Sequence, residues 1–205
     1  MKINLTKTPQ IVFFIFILPL FSILLVLMLN YLLQPLNNLW FYPLIDTVGT
    51  VGAYVFLYSQ FNNYAWKWSI FSVLGVVDFP VVGGRWQGNF TSSFNRKKSL
   101  AVLEIKQTFS KTDICLYCKE SSSTSLIADF IKLGNGQAEL HYEYHNEPYI
   151  NTKKTMHGHD GVVKLTYYKK NNTLKGSYYN SSQHSRGHIG NLNFKFIDKE
   201  LQGKF

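Results

Sequence analysis

Cysteine is nearly absent from this chain of 205 residues, which holds only Cys115 and Cys118. The Cys-x-x-Cys spacing invites a zinc or redox reading. Thr112 to Lys119, however, alternates as a strand, with Ile114, Leu116 and Cys118 on one face and Cys115 on the other. Ligands on opposite faces cannot chelate one ion, and no second pair completes a set of four. Two thiols with no forced pairing suit a reducing compartment. Catalytic signatures are missing as well. There is no nucleophile elbow, no His-Glu-x-x-His and no Walker loop, so neither an enzyme nor a bound cofactor is expected. The six histidines all fall in the second half of the chain. His157 and His159 form a His-x-His in a Gly-rich turn, which without further ligands reads as loop hydrogen bonding rather than metal binding. Internal repeats and low-complexity tracts are absent too.

Charge is scarce in the first 80 residues, which carry three basic residues (Lys2, Lys7, Lys67) and two acidic ones (Asp46, Asp78). The other 18 basic and 10 acidic residues follow, so nearly all of the formal +9 sits in the second part. That part suits anionic partners such as nucleotides, nucleic acid or lipid headgroups, or simply a solvated surface beside a membrane.

What the first part has instead is apolar length. Ile11 to Leu29 is 19 residues without a charge, about the span of a bilayer core. Pro19 lies inside it, which membrane helices tolerate. A signal peptide is the competing reading, but the run is long for one and no small-x-small cleavage site follows. After the break Gln34-Pro35-Leu36-Asn37-Asn38, a second apolar span runs to Phe61, with Trp40, Tyr42, Tyr54 and Tyr58 suited to interfaces. Asp46 inside it must lie near headgroups or face a partner helix. Gly49 and Gly52 would let another helix approach closely. The pattern predicts two transmembrane helices, at about 11–33 and 39–61, within residues 1–62. An aromatic connector would fill 63–80. Lys2, Lys7 and Lys67 flank the spans while the turn between them is uncharged, which places both termini in the cytoplasm.

From Val81 the helical period disappears. Eight strands are predicted, at 82–93, 100–109, 113–119, 123–132, 138–145, 161–168, 173–180 and 188–197. Hairpin-length turns between them argue for an antiparallel meander. Eight such strands can close into an up-and-down, lipocalin-like β-barrel over 81–205. Its first strand contains Gly84-Arg85-Trp86-Gln87-Gly88, with Trp86, Phe90 and Ser92 on one face and Arg85 and Gln87 on the other. Trp86 would plug one end of the barrel with a single hydrogen bond.

Polar residues that would face inward are the candidates for binding. Gln107 shares a face with Leu103, Ile105 and Phe109, and Tyr142 and Tyr144 share one with Leu140. Tyr178 follows Leu174 and Gly176. A serine cluster, including Ser123 and Ser125, opens the fourth strand. Tyrosine can stack on a base and donate a hydrogen bond, while Arg186 or Arg85 can neutralise a phosphate.

Two membrane spans followed by Gly-x-Trp-x-Gly form the start of an ordered set of motifs. Ile105 to Ser110, Ser121 to Ser125, Leu140 to Pro148, His159-Asp160-Gly161 and Leu174 to Tyr179 continue it. In that order the chain resembles the two-transmembrane β-barrel effectors of CBASS, the cyclic-oligonucleotide anti-phage defence of bacteria. The resemblance implies a receptor without catalysis in the bacterial inner membrane. A CD-NTase would make a cyclic dinucleotide, the barrel would bind it, and the homo-oligomer would disrupt the lipid bilayer to abort infection. Nucleic acid polymers would not be partners. The ligand contacts would come from Gln107, Ser123, Ser125, Tyr142, Tyr144, His159, Tyr178 and Arg186. One departure is His184 in His184-Ser185-Arg186-Gly187, where an Arg-x-Arg turn is expected. The alternative is a membrane-tethered lipocalin-like barrel for an apolar ligand.

Overall fold

The computed structural model describes residues 8–36, 42–93, 97–133, 137–150, 157–182 and 185–205. The expected turns at Asn95-Arg96 and Gly134-Asn135-Gly136 lie outside them. The chain divides into two compact units. One comprises Met1–Asp78 with Thr108–Ser110, the other Phe79–Gln107 with Lys111–Phe205.

The first unit is helical. Its opening helix, Thr8–Leu33, runs for 26 residues. Pro19 has no N–H to donate, and one turn before it, at Phe13–Ile17, the helix widens into π geometry. Such a turn relieves the lost i→i−4 bond without breaking the helix. The Ser22 hydroxyl, fully buried in this apolar segment, donates back to the Leu18 carbonyl at 2.8 Å. A second helix, Tyr42–Asn63, follows. Gly49 on it faces the Val26 side chain, whereas Gly52 meets no neighbour. Among the described residues, only Thr8–Leu33 is both long and apolar enough to cross a bilayer. Phe61 centres an aromatic cluster, with ring centroids 4.9 Å from Phe13, 4.9 Å from Phe71 and 5.0 Å from Phe109. Asn62 accepts the Phe109 N–H at its carbonyl (2.9 Å) and the Ser110 N–H at its side chain (3.0 Å). Phe109 therefore does not continue the inward face of a barrel strand, as the alternation suggested. Its backbone leaves the sheet to satisfy Asn62, and its ring finds apolar burial among the helices.

The second unit is a closed eight-stranded antiparallel barrel. Its strands are β1 (Gly84–Ser92), β2 (Lys98–Gln107), β3 (Thr112–Tyr117), β4 (Ser121–Lys132), β5 (Ala138–Pro148), β6 (His159–Tyr168), β7 (Thr173–Ser182) and β8 (Ser185–Asp198). Each pairs with the next, and β1 pairs with β8 to close the ring, which removes free edges. All eight predicted strands are present. Alternate residues point inward as the period of two demands, and Leu103, Ile105, Ile114, Leu140, Leu165, Leu174 and Phe194 are each below 2 % exposed.

This apolar half is closed by Trp86, which packs edge-on against Phe196 (5.2 Å) and Tyr167 (6.1 Å). Its indole N–H donates to the Val82 carbonyl at 3.0 Å, the one bond a buried Trp needs. Phe79 stacks on Phe130 at the same end (5.7 Å). On the outer wall, Arg85 and Glu104 form an ion pair that is almost wholly buried. The chain's final stretch covers it. Glu104 accepts the N–H groups of Gln202 (2.8 Å) and Gly203 (3.1 Å), and the Arg85 guanidinium donates to the Lys204 carbonyl (2.9 Å). Burial alone would raise the Glu104 carboxyl, but these N–H donors and the guanidinium outweigh it and hold the pKa below the ordinary value.

Candidate ligand-binding site in the polar end of the barrel

Along β5 the inward positions are Leu140, Tyr142, Tyr144 and Asn146, all buried. The first belongs to the apolar half, and the other three carry polar atoms toward the opposite end. The register sets their neighbours. Asn146 stands between Ser123 and His159, and Tyr144 between Ser125 and Gly161. Gly161 in turn stands opposite Asn180, and Tyr178 opposite Gly190. β4 adds Ser121 and Ser123, 4 % and 5 % exposed, from the same end. The barrel thus changes character along its axis within single strands, because each strand keeps its alternation and only the residue types change.

Two polar atoms in this end are orphaned. The Tyr142 hydroxyl and the Asn146 Nδ2 are fully buried and have no hydrogen-bond partner among the described residues. Orphans of this kind are rare in folded proteins, and each costs about 1–3 kcal/mol. Burial raises the Tyr142 hydroxyl, helped by Tyr144 and Cys118. Burial likewise raises Tyr144 and Tyr178, although a hydrogen bond from Ser92 pulls Tyr178 partly back. The Cys118 thiol is pushed up to about 12 by burial alone. These groups all stay protonated near neutrality. The end is therefore a neutral box of aromatic faces and O–H, S–H and amide donors. Arg85 and Glu104 are the only charged residues buried among those described, and they belong to the outer wall.

The predicted contacts distribute unevenly. Ser123, Tyr142, Tyr144 and Tyr178 come together in the polar end. His159 joins them at the rim, its ring 6.2 Å from that of Tyr144 and its Nδ1 facing the His157 carbonyl at 3.2 Å. Gln107 lies at the other end of the barrel. Its Oε1 accepts the N–H groups of Val82 (2.8 Å) and Gly83 (3.1 Å), and its Nε2 donates to the Pro80 carbonyl (3.0 Å). Those bonds use the side chain to clamp the segment that enters β1. Ser125 sits at a β-bulge in β4, where its hydroxyl accepts the Ile114 N–H at 2.9 Å. The Arg186 side chain and His184 lie outside the described residues. Arg85 is engaged by Glu104 and Lys204 as above.

Asn146, Ser121 and Cys118 were not among the predicted contacts. Asn146 was assigned to a loop, yet β5 extends to Pro148. The step Tyr142, Tyr144, Asn146 was the available signal. Cys115 faces outward, its sulfur 4.0 Å from the Thr124 hydroxyl, while Cys118 packs against the core. A shallow depression of about 310 Å³ lies between β1 and β8, lined by Thr91 to Ser93 and Ile189 to Asn191. It holds neither the orphaned donors nor the tyrosines, so the polar end of the lumen is the stronger candidate.

A family model described as "Cap15, cyclic dinucleotide receptor domain" matches residues 77–196. The chain is also 26 % identical over 149 residues to a protein named CD-NTase-associated protein 15 from Staphylococcus schleiferi, an alignment covering 71 % of this chain and 79 % of that protein.

Proposed function

This chain belongs to the Cap15 cyclic dinucleotide receptor family, and from that premise we propose that the polar end of its barrel binds a cyclic dinucleotide. The observation that carries the reading is the pair of orphaned donors, the Tyr142 hydroxyl and the Asn146 amide. A nucleobase edge offers the acceptors they lack, whereas an apolar ligand would leave both unsatisfied at a continuing cost. Tyr144 and Tyr178 stack on the bases. Ser121, Ser123 and His159 complete the hydrogen bonding, and Arg186 neutralises a phosphate at the rim. Gln107 and Ser125 are left out of this set because backbone groups already occupy them.

The helical unit supplies the output. Thr8–Leu33 and Tyr42–Asn63 act as two spans in the bacterial inner membrane, with both termini in the cytoplasm where the nucleotide is made. Binding favours an assembled form of the receptor, because a ligand shifts an equilibrium only by its differential affinity for two states. Clustered helical hairpins then disrupt the bilayer and abort phage infection.

Calorimetry of the full chain in nanodiscs against 3′,3′ cyclic dinucleotides tests the receptor half. Saturable heat with at least one member is expected, and no heat and no thermal shift with any member contradicts it. Membrane-dye uptake in cells tests the output half. Uptake is expected only when a cognate nucleotide synthase is co-expressed, and uptake independent of it contradicts the proposed coupling.

A further inference from the structure

Two tyrosines of the polar end lie across glycines on the neighbouring strand. A Cβ built on Gly161 would fall on Tyr144, and its three nearest heavy atoms are the Oη, Cζ and Cε1 of that one side chain. A Cβ on Gly190 would likewise fall on the Cε1 and Cζ of Tyr178. In both cases tyrosine and glycine are direct cross-strand partners, Tyr144 with Gly161 and Tyr178 with Gly190. The missing side chain is what lets each ring fold down along the wall rather than cross the lumen. A ring held over backbone in this way can offer a face to a base. The arrangement occurs twice, on β5–β6 and on β7–β8, so it offers two platforms.

We propose, resting on the receptor reading above, that Gly161 and Gly190 are positioning residues which lay Tyr144 and Tyr178 against the wall as two stacking platforms, one for each base of a two-base ligand. Gly161 is the sharper probe. A Cβ on Gly190 would also strike the Thr91 carbonyl and so disturb the β1–β8 ladder, whereas at Gly161 the nearest obstacle is only the movable end of Tyr144.

The test measures affinity of the full chain in nanodiscs for cyclic di-AMP, cyclic di-GMP, cyclic GMP-AMP and cyclic UMP-AMP, together with thermal unfolding of each variant. For the best-bound probe, Gly161→Ala should weaken binding roughly tenfold or more, the size of one lost stack, while the protein stays folded. Tyr144→Leu should lose a similar amount, and adding Gly161→Ala to Tyr144→Leu should lose nothing further, because the glycine acts only through that ring. A folded Gly161→Ala that binds like wild type overturns the proposal, as does an equal loss in both backgrounds. Should Gly161→Ala fail to fold, Tyr144→Phe decides. Retention within about threefold while Tyr144→Leu loses its stack supports the platform. An equal loss in Phe and Leu, or none in Leu, overturns it. If wild type binds none of the four probes, the receptor reading itself fails, which is a different outcome from failure of the platform in a protein that binds.

Discussion

The two ends of the barrel are built from the same eight strands and differ in how they treat polar atoms. At the Trp86 end the polar groups of Trp86 and Gln107 are spent on the fold, although the Thr173 hydroxyl there has no partner among the described residues. The indole N–H goes to Val82, and Gln107 makes three bonds to the entering segment. At the tyrosine end, two buried donors are left without partners among the described residues. A fold selected only for stability would satisfy both ends or make both apolar, since an orphaned donor costs more than a well-packed methyl group. The difference lies in the aromatic and amide donors gathered at the second end, which is where the proposed recognition would use them.

The largest effects should come from the closed end. Trp86→Ala removes a side chain only 1 % exposed, and urea unfolding should show a loss of about 3–5 kcal/mol. Gln107→Leu leaves the Val82 and Gly83 N–H groups unpaired and should cost about 1–3 kcal/mol, yet leave affinity for a cyclic dinucleotide nearly unchanged. A large affinity loss from Gln107→Leu in a folded protein would break the comparison and return this residue to the binding set.

The outer wall gives a test of intermediate size that depends on pH. Glu104→Gln leaves Arg85 buried without its counter-charge and should destabilise by about 3 kcal/mol at neutral pH. Because the folded-state carboxyl is held below its unfolded value, its stabilisation is present above the ordinary carboxylate range and disappears as pH falls through the folded value. The gap between wild type and Glu104→Gln should therefore close in acid. A gap of constant size from neutral to acid pH would show that packing of the final residues, not the ion pair, holds that wall.

Much of this division was legible from the residues alone. Alternation and turn chemistry locate all eight strands, and Trp86 announces itself as a plug through the glycines beside it. Tyr142, Tyr144 and Tyr178 fall on the inward face by parity alone. What parity does not carry is height along the barrel axis. Gln107 and Tyr144 are both inward polar residues, and only the register separates a clamp from a binding candidate. Phe109 continues the alternation of β2 but is claimed by Phe14, Phe61 and Asn62, a long-range competition that no local pattern encodes. The cover over Arg85 and Glu104 comes from residues about a hundred positions further on, equally invisible to spacing. The bulge that turns the Ser125 hydroxyl to the β3 backbone is likewise not encoded in the alternation. The resemblance supplied what residue patterns could not, a ligand class for the polar end, which the family match then supports.

The smallest change probes the central claim most directly. Tyr142→Phe removes one hydroxyl oxygen from a buried ring and nothing else. Without ligand, deleting an orphaned hydroxyl should leave stability unchanged or raise it by about 1 kcal/mol. With ligand, the same deletion should weaken binding of the preferred cyclic dinucleotide by about 1–3 kcal/mol, because the donor then has a partner to lose. Thermal unfolding of the full chain with and without nucleotide reads both signs in one experiment. Equal or higher stability of the ligand-free variant, with a smaller ligand-induced shift, is the expected result. A variant less stable without ligand, yet stabilised by nucleotide as much as wild type, would show that the hydroxyl serves the fold and would contradict the account.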